Sequence, residues 1–452
     1  MVINLPEKVK NIIKTIEEAG YEAYAVGGCV RDSVLGRVPS DWDITTSARP
    51  LQVKELFRRT VDTGIKHGTV TVMMNREGFE VTTYRIDGEY EDSRHPKDVT
   101  FTPLLEEDLK RRDFTINAMA YNDSRGLIDL FGGMSDIKNQ VIRCVGNPTE
   151  RFKEDALRMM RAVRFSAQLG YEIEEETKEA ISQMSGNLRH ISAERIMAEL
   201  TKLLVSPHPD YVRACYETGI TAVVLPEFDR CMETEQNNPH HCYCVGEHIL
   251  HSMQNIRPDK VLRYTMLFHD IGKPQTKTTD EAGIDHFYGH AAVSEKLASG
   301  ILHRLKADNE TIYRVTRLTR YHDYNMGDSA KSVRKAVNKI GEELFPLLIE
   351  VKEADVSAQS VYEREEKLRK LANLRQIYHE ILDAQECVSL RMLAVTGKDL
   401  IDAGMKPGRE LGTTLQMLLE LVLEDPSMNT KENLLHHVKT GNPEENRQTP
   451  AE

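Results

Sequence analysis

Two aspartates one residue apart, Asp41 and Asp43, follow a glycine-containing turn near the start of the chain. The apolar residues 24–26 before the turn are typical of a strand, and residues 42–45 are typical of a second one. Because side chains two positions apart on a strand point the same way, both carboxylates should leave one face of a sheet. Carboxylates placed together can share Mg²⁺ ions, which complete their coordination with water and substrate phosphates. The pattern therefore predicts a two-metal site for nucleotidyl transfer.

A third carboxylate, Glu80, favours this prediction over a solvated turn, which is what Asp-x-Asp alone usually marks. Residues 79–85 alternate between apolar and polar types, as in another strand of the same sheet. Glu80 could then complete the metal site. Gly28 and Arg31 stand in the turn upstream, and Arg31 would balance charge on a triphosphate.

A second group of polar residues lies at 110–118, where charged residues meet an apolar helix start. Asp113 could cap that helix while it accepts a hydrogen bond from a ribose hydroxyl, and Arg112 could hold a triphosphate. Asn117 belongs to the same predicted nucleotide site. The alternative for Asp113 is a helix cap with no further role.

A third group, at 154–165, could read a base. Asp155 and Arg158 are three residues apart on a predicted helix, hence neighbours on one face, where an ion pair would contribute only a few tenths of a kcal/mol. Turned toward a cleft, Asp155 could accept from an exocyclic amine and Arg158 could donate to the adjacent ring nitrogen, a pattern that cytosine and adenine share. Mispaired groups of this kind cost about 1–3 kcal/mol each, so the pair would select CTP and ATP without a template. Arg161 and Arg164 extend the basic cluster.

Composition limits the classes of protein and partner. The chain has 452 residues, too many for one core, with 40% apolar and 29% charged residues. Its net charge of −12 argues against indiscriminate affinity for nucleic acid, so any such contact should be local. No apolar run reaches the ~20 residues of a membrane span, and the start lacks the pattern of a secretion signal. Seven cysteines without a disulfide pattern fit a reducing compartment, and we expect a cytoplasmic protein.

In their order and spacing, these motifs resemble those of the tRNA nucleotidyltransferases of the bacterial and eukaryotic class, the CCA-adding enzymes. The matching stretches are 27–32, 41–43, 111–118, 129–136 and 154–165. The resemblance implies an α+β protein, with a small mixed sheet in a head and an all-helical neck, body and tail after it. The implied reaction is addition of C, C and A to the 3′ end of tRNA from CTP and ATP, with release of pyrophosphate.

The resemblance also assigns roles to particular residues. Asp41 and Asp43 would bind catalytic Mg²⁺, Arg112 and Asp113 would contact the sugar and phosphates of the nucleotide, and Asp155 with Arg158 would act as a protein template for the base.

Related enzymes with the same head leave alternatives open. Some add only CC or only A, and bacterial poly(A) polymerases also share the head. Enzymes confined to CC lack a flexible segment after the metal strands, whereas residues 87–101 form a long polar segment here. Complete CCA addition is therefore favoured, and the mixed charge of the tail argues against a poly(A) polymerase. Two alternative hypotheses come from other classes of protein. The chain could be an RNA-binding protein with an inactive head, or a nucleotidase with a vestigial head.

A histidine-rich region farther along the chain predicts a second site. The run 267–273, Leu-Phe-His-Asp-Ile-Gly-Lys, resembles that of the HD-domain phosphohydrolases. Carried over by position, the metal ligands would be His248, His269, Asp270 and Asp355, and His290 with His322 could support a second metal. Histidines and carboxylates on successive helices suit a divalent transition metal of unknown identity. A second activity, as a phosphatase or 2′,3′-cyclic phosphodiesterase, is a hypothesis for this chain.

These considerations predict five segments. They are the nucleotidyltransferase head, of the polymerase β type (1–140), the neck (141–230), the HD body (238–375), the tail (376–440) and a disordered end (441–452). In the tail, glycines and basic residues of 395–412 precede a helix and would grip the tRNA elbow. A helix hairpin packed on the body is the alternative for that stretch.

Overall fold

The computed structural model describes residues 1–88 and 99–440. The chain divides into two compact units, of which the first comprises Met1–Arg230 with Arg304–Ala307. The second comprises Cys231–His303 and the chain from Asp308 onward. Most of the polar segment predicted at 87–101 and all of the predicted disordered end, 441–452, lie outside the described residues.

A seven-stranded sheet forms the head of the first unit. The strands between the start of the chain and Asp129 are β1 (Ala23–Val26), β2 (Ile44–Thr46), β3 (Thr60–Gly64), β4 (Thr69–Met74), β5 (Glu77–Thr83), β6 (Arg85–Asp87), β7 (Val99–Phe101), β8 (Met119–Asn122) and β9 (Gly126–Asp129). The sheet order is β3-β4-β5-β2-β1-β8-β9, and β6 pairs separately with β7. Strands β2 and β5 are parallel, whereas the other neighbours are antiparallel, so the predicted mixed sheet is confirmed.

Helices cover the sheet of the head. They are α1 (Glu7–Glu18), α2 (Gly28–Val34), α3 (Pro50–Leu56), α4 (Leu105–Lys110) and α5 (Gly133–Asn139). Helix α1 buries Val9, Ile12 and Ile16, whose spacing places them on one face, in a core shared with strand residues such as Val70. Gly20, at φ +88°, follows the helix, as its sequence predicts.

The remainder of the first unit is mainly helical. Its elements are β10 (Val141–Ile142), α6 (Pro148–Glu154), α7 (Leu157–Leu169), β11 (Glu172–Ile173), α8 (Glu175–Met184), α9 (Ala193–Leu204), α10 (Val212–Glu217), α11 (Ile220–Val224) and α12 (Pro226–Met232). Helices α7 and α9 pack on each other, and apolar residues such as Met160, Val163 and Leu200 are buried there.

The second unit is almost entirely helical. Its elements are α13 (Val245–Gln254), α14 (Lys260–Phe268), α15 (Lys273–Thr276), β12 (Thr278–Thr279), β13 (Asp285–His286), α16 (His290–Arg304), α17 (Asn309–Tyr321), α18 (Ala330–Ile340), α19 (Phe345–Ala358), α20 (Arg364–Asp383), α21 (Gly397–Asp402), α22 (Arg409–Glu424) and α23 (Lys431–Thr440). One apolar cluster includes Val337 and Leu348, and another includes Leu400 and Leu419. Over the described ranges, we find no helix with the length and apolar character of a membrane span. The α+β class is confirmed.

Candidate active site and candidate metal centre

The predicted acidic pair precedes β2, which begins at Ile44, two residues later than predicted. The backbone oxygen of Asp43 still accepts a hydrogen bond from the Val26 N–H at 3.0 Å, so Asp43 continues the ladder with β1. In the parallel register of β2 and β5, Ile44 is paired with Val81. Asp43 therefore lies next to Glu80, as the sequence predicts.

Negative charge is concentrated where β2 meets β5 in the interior of the sheet order, and Asp41, Asp43 and Glu80 are all accessible to solvent there. Partial desolvation by the surrounding atoms raises the pKa of the Asp43 carboxyl. Arg112 opposes this rise in pKa, whereas the charges of Asp41 and Glu80 add to it. A divalent cation would relieve the repulsion, so the donors fit Mg²⁺. In the described residues, the carboxylate oxygens of Asp41, Asp43 and Glu80 do not all lie within 4.8 Å of one another. A role for Glu80 in binding the metal therefore stays a prediction.

The glycine turn brings the backbone against Arg112. Gly27 has a φ of +82°, and a Cβ atom there would lie 2.9 Å from Nη1 of Arg112, so both conformation and space favour glycine. Gly28 begins α2. Nη2 of Arg112 lies 3.5 Å from the Asp108 carboxylate, and its Nε is buried with no hydrogen-bond partner within the described part of the chain. Such a donor fits an anionic ligand.

A network around the buried Asp113 joins four more of the predicted residues. Arg31 donates to Oδ1 of Asn117 at 2.7 Å, the Asn117 amide donates to Oδ1 of Asp113 at 3.2 Å, and Nε of Arg161 donates to Oδ2 of Asp113 at 2.8 Å. Burial would raise the pKa of Asp113, but the charges of Arg161 and Arg158 outweigh it and hold that pKa well below its usual range. Asp113 is therefore an ionised hydrogen-bond acceptor.

The predicted helix after Asp113 is shorter than expected. The segment makes only a 3₁₀ turn over Thr115–Asn117 before β8 begins at Met119. Oδ1 of Asp113 accepts from the Phe114 N–H at 2.8 Å, and Phe114 is the residue before the turn. The expectation that Asp113 is the N-cap of a helix is therefore wrong, because the chain leaves the turn to enter the sheet.

Asp155 and Arg158 do not share a helix, contrary to our prediction. Asp155 has an extended backbone between α6 and α7, with φ −144° and ψ 103°. Its carboxylate accepts two hydrogen bonds from Arg195, at 3.2 and 2.7 Å. Arg158 donates to Glu154 at 2.6 Å and to the backbone oxygen of Arg111 at 2.9 Å. The two side chains that would read the base thus each have another partner.

The aromatic ring of Phe165 gathers three of the predicted arginines. The guanidinium carbons of Arg31, Arg161 and Arg164 lie 5.0, 5.3 and 3.8 Å from its centroid. Arg164 also forms an ion pair with Glu199 at 2.6 Å, and burial lowers the pKa of Arg164 to about 10. The cluster holds three positive charges close to the buried Asp113 network.

Sequence reasoning missed two residues of α9 that hold this region together, Arg195 and Glu199. A signal existed for Glu199, because it falls on the apolar face of α9 with Ile196, Leu200 and Leu203, where a carboxylate needs a partner. No comparable signal marks Arg195, which lies 40 residues from Asp155 along the chain.

The six predicted ligands of the second unit meet in one cluster. They are His248 of α13, His269 and Asp270 after α14, His290 of α16, His322 after α17 and Asp355 of α19. Oδ2 of Asp270 lies 3.5 and 3.4 Å from Nε2 of His248 and His269. Its Oδ1 lies 3.3 and 3.5 Å from Nε2 of His290 and His322. Asp270 therefore stands between two groups of ligands.

The imidazoles are oriented for metal binding. Nδ1 of His269, His290 and His322 lies 2.7, 2.8 and 2.7 Å from a backbone carbonyl oxygen, which only accepts, so Nδ1 carries the proton. Their Nε2 atoms then offer lone pairs. Yet Nε2 of His290 and His322 are 3.1 Å apart, and those of His248 and His269 are 3.3 Å apart. The facing lone pairs of His290 and His322 repel unless a cation lies between them. Nε2 of His248 lies 2.9 Å from Oδ1 of Asp355, so carboxylate and imidazole donors meet there too, and the two groups of donors fit metal ions.

A buried lysine, Lys273, lies against the bridging carboxylate. Its Nζ lies 2.7 Å from Oδ2 of Asp270, donates to Oε1 of Gln236 at 2.8 Å and lies 3.4 Å from Nε2 of His241. Burial would raise the pKa of Asp270, but Lys273 and then His269 lower it well below its usual range. All three ammonium protons have acceptors in the protein. The ligands Asp270, His290, His322 and Asp355 line a cavity of about 280 Å³.

Comparison with known families and structures agrees with this organisation. Three family models match: the poly A polymerase head domain over 23–143, the probable RNA- and SrmB-binding site of polymerase A over 170–232, and tRNA nucleotidyltransferase domain 2 over 275–438.

Individual relatives carry one name. The chain is 55% identical over 226 residues to a CCA-adding enzyme of Lactiplantibacillus plantarum, an alignment that spans 50% of this chain and 54% of that relative. It is 38% identical over 425 residues to the CCA-adding enzyme of Lacticaseibacillus paracasei, covering 94% of each chain. The solved CCA-adding enzyme of Bacillus stearothermophilus in complex with CTP has a TM-score of 0.72, is 30% identical and covers 97% of each chain.

The sequence motifs, the mixed sheet with helices after it, and the near full-length similarity to these relatives agree on one assignment. This chain belongs to the family of class II CCA-adding enzymes, the tRNA nucleotidyltransferases.

Proposed function

We propose that this enzyme adds C, C and A to the 3′ end of tRNA from CTP and ATP and releases pyrophosphate. The observation that carries the proposal is the position of Asp43 beside Glu80, where β2 meets β5, with Arg112 close enough to influence the pKa of Asp43. Relatives that cover nearly the whole chain are CCA-adding enzymes. The nucleotidyltransferase family uses a divalent metal such as Mg²⁺.

The residues of the head divide the work of nucleotidyl transfer. Asp41 and Asp43 would hold the divalent metal, which makes the terminal 3′ hydroxyl of the tRNA more acidic and neutralises charge on the leaving pyrophosphate. Arg112, whose buried Nε lacks a protein partner in the described ranges, binds the triphosphate, and Arg31 balances its charge. Asp113, kept ionised, accepts a hydrogen bond from the ribose.

Base selection requires an exchange of partners. Asp155 is bound by Arg195, and Arg158 is bound by Glu154. To read cytosine or adenine, Arg158 must leave Glu154, whereas Asp155 has further lone pairs for an exocyclic amine while Arg195 holds it. Arg195 thus orients the carboxylate, and the hydrogen bonds offered to the base exclude uracil and guanine.

The test is extension of tRNA that lacks its last three nucleotides, followed by sequencing of the ends. CTP alone should give CC, CTP with ATP should give CCA, and the Asp41→Ala, Asp43→Ala double variant should give no extension. Ends that stop at CC in the presence of both nucleotides would instead show a CC-adding enzyme. Activity restricted to tRNA that already ends in CC would show an A-adding enzyme, and long A tails would show a poly(A) polymerase. Incorporation of uridine as readily as cytidine would refute the base-selection proposal.

A second function is proposed for the second unit, in which the ligand cluster would make it a metal-dependent phosphohydrolase. The supporting observation is the convergence of four imidazoles and two carboxylates around Asp270, with Nε2 atoms paired at 3.1 and 3.3 Å. His248, His269 and Asp355 would hold one divalent transition metal, His290 and His322 the other, with Asp270 between them. When bound, such metals would supply Lewis-acid chemistry at a phosphate ester and an activated water. Lys273 holds the carboxylate of Asp270 in place.

The hydrolytic proposal is tested with 2′,3′-cyclic nucleotides and simple phosphate esters in the presence of Mn²⁺, Ni²⁺, Co²⁺ or Mg²⁺. Hydrolysis should require one of these metals, stop with a chelator and be lost in His269→Ala. Turnover no greater than that of His269→Ala with every metal would refute it.

The segment boundaries and the cellular place are proposals as well. We propose the head at 1–140, the neck at 141–230, the body at 238–375 and the tail at 376–440, with the 395–412 stretch at the tRNA elbow. We also propose that the enzyme acts in the cytoplasm, as the lack of a disulfide pattern among its cysteines leads us to expect.

A further inference from the structure

An exposed tyrosine lies at the rim of the cavity of the second unit. Tyr288 is 77% exposed, although it lines the same cavity as the predicted ligands Asp270 and His322. It precedes the ligand His290 by two residues. Its ring is therefore accessible to a molecule that enters the cavity.

One face of Tyr288 is already occupied by the ring of His286. The two rings are nearly parallel, at 7°, with centroids 5.3 Å apart. His286 belongs to β13, which pairs with β12, and its Nε2 lies 2.9 Å from the Asp280 carboxylate. The imidazole is therefore held by a hairpin and an acidic partner, and it supports the tyrosine ring from one side.

The rim is also where the cavity can distinguish one phosphate ester from another. The ligand cluster would engage the phosphate of any ester, and Lys273 has acceptors in the protein for all three of its protons. Discrimination of the rest of the substrate then falls to residues farther out, such as Tyr288. An exposed aromatic ring favours a planar group, because two flat rings can stack on each other. Stacking does not depend on the hydrogen-bonding pattern of the group, so any nucleobase could bind.

We propose that Tyr288, backed by His286, is a stacking platform for a nucleobase, so that the site of the second unit takes a nucleoside phosphate with its base on Tyr288 and its phosphate at the ligand cluster. This inference rests on the proposed phosphohydrolase function for its catalytic meaning. The platform itself is a binding site and is tested by binding.

A fluorescent reporter at the platform tests binding in the full-length protein. The chain contains a single tryptophan, Trp42, so the Trp42→Phe, Tyr288→Trp double variant places its only indole at the rim. With Zn²⁺ present, AMP should quench this fluorescence saturably, whereas ribose 5-phosphate, which lacks the base, should not. Tyr313→Trp in the same background is the matched control, because Tyr313 is 57% exposed on α17 and does not line the cavity. No quenching by AMP, or equal quenching by ribose 5-phosphate or in the control, overturns the proposal.

A nucleobase with a phosphate could come from a free nucleotide or from the end of an RNA. A short oligonucleotide with a 3′-phosphate, titrated in parallel with AMP, distinguishes these two ligands. Stronger quenching by AMP shows a free nucleotide as the ligand, and stronger quenching by the oligonucleotide shows an RNA end. Either result supports a base on the platform.

Hydrolysis supplies the second measurement. Tyr288→Ala should raise KM for AMP about tenfold, whereas Tyr288→Phe should not, and KM for ribose 5-phosphate should be the same in all three proteins. An unchanged KM for AMP in Tyr288→Ala overturns the platform. If the unaltered protein hydrolyses no ester but AMP still quenches the indole of the Tyr288→Trp reporter variant, the hydrolytic function fails while the platform stands.

Discussion

At the scale of single residues, the buried carboxylate of Asp113 stabilises the first unit through its ion pair with Arg161. We expect Asp113→Asn to lower the free energy of unfolding at pH 7 by about 1–3 kcal/mol, because the hydrogen bonds from Arg161 and Asn117 lose their charged acceptor. Urea denaturation measures this change. Asp123→Asn, which alters an exposed carboxylate 3.6 Å from Lys10, is the control and should change it by less than about 0.5 kcal/mol. Equal effects of the two substitutions would contradict the prediction.

The same carboxylate should make stability depend on pH in acid. The pKa of Asp113 is lowered in the folded protein, so its ionised form stabilises the fold above the unfolded pKa of about 3.9. That contribution is lost as pH falls from this value through the lower folded pKa. The difference in unfolding free energy between the unaltered protein and Asp113→Asn should therefore be constant from pH 7 to pH 5 and shrink below pH 4. A difference that stays constant down to pH 3 would contradict it.

Substitution of Phe165 would remove its cation–π contacts with three arginines, Arg31, Arg161 and Arg164, at once. Each cation–π contact is worth about 0.5–2 kcal/mol, so Phe165→Leu should raise KM for CTP and ATP about 5- to 30-fold. Phe165→Tyr keeps the ring and should restore KM to within about twofold. The measurement is steady-state extension of tRNA, with the unfolding free energy of both variants as a control for packing. Equal KM values for the leucine and tyrosine variants would assign Phe165 a packing role alone.

At the scale of elements, the periodicity of apolar residues predicted the helices and strands that depend on local sequence. It failed where contacts between residues far apart in the chain determine the backbone conformation. Helix α1 and the strands of the mixed sheet follow from apolar spacing and turn residues, because each buries one face. The break between α6 and α7 could not be predicted. Apolar residues such as Phe152, Ala156 and Met160 continue at helical spacing across it. The extended backbone of Asp155 is instead accompanied by two hydrogen bonds to Arg195, which no local pattern reveals.

Helix α9 therefore carries a prediction about base selection. Arg195→Met should free Asp155 to turn, and we expect kcat/KM for CTP and ATP to fall about 10- to 100-fold, with discrimination against UTP reduced. Lys202→Met, on the exposed side of the same helix, should leave both values within about twofold. Competition between CTP and UTP on tRNA lacking its last three nucleotides measures discrimination. Unchanged discrimination in Arg195→Met would show that Arg195 does not orient the carboxylate.

At the scale of the whole molecule, the two candidate centres belong to separate compact units. Asp41 and Asp43 belong to the first unit, and the ligand cluster with Asp270 belongs to the second. Sequence motifs predicted both centres, since each is marked by chemistry-bearing residues at short spacing. The motif also indicated that Asp270 could bridge or orient ligands, but it could not predict which ligands lie on each side of Asp270, because that depends on five helices meeting at one point.

This division predicts that each activity can be removed alone. The Asp41→Ala, Asp43→Ala variant should lose at least about 10³-fold in tRNA extension, because the carboxylates that hold the metal are gone, yet keep phosphate ester hydrolysis. His269→Ala should show the reverse. It should also lose the rise in melting temperature that a transition metal gives the unaltered protein, because binding to the folded state alone stabilises it. Measuring both activities and both melting curves on the same preparations tests the division, and loss of both activities in either variant would show that the two centres depend on each other.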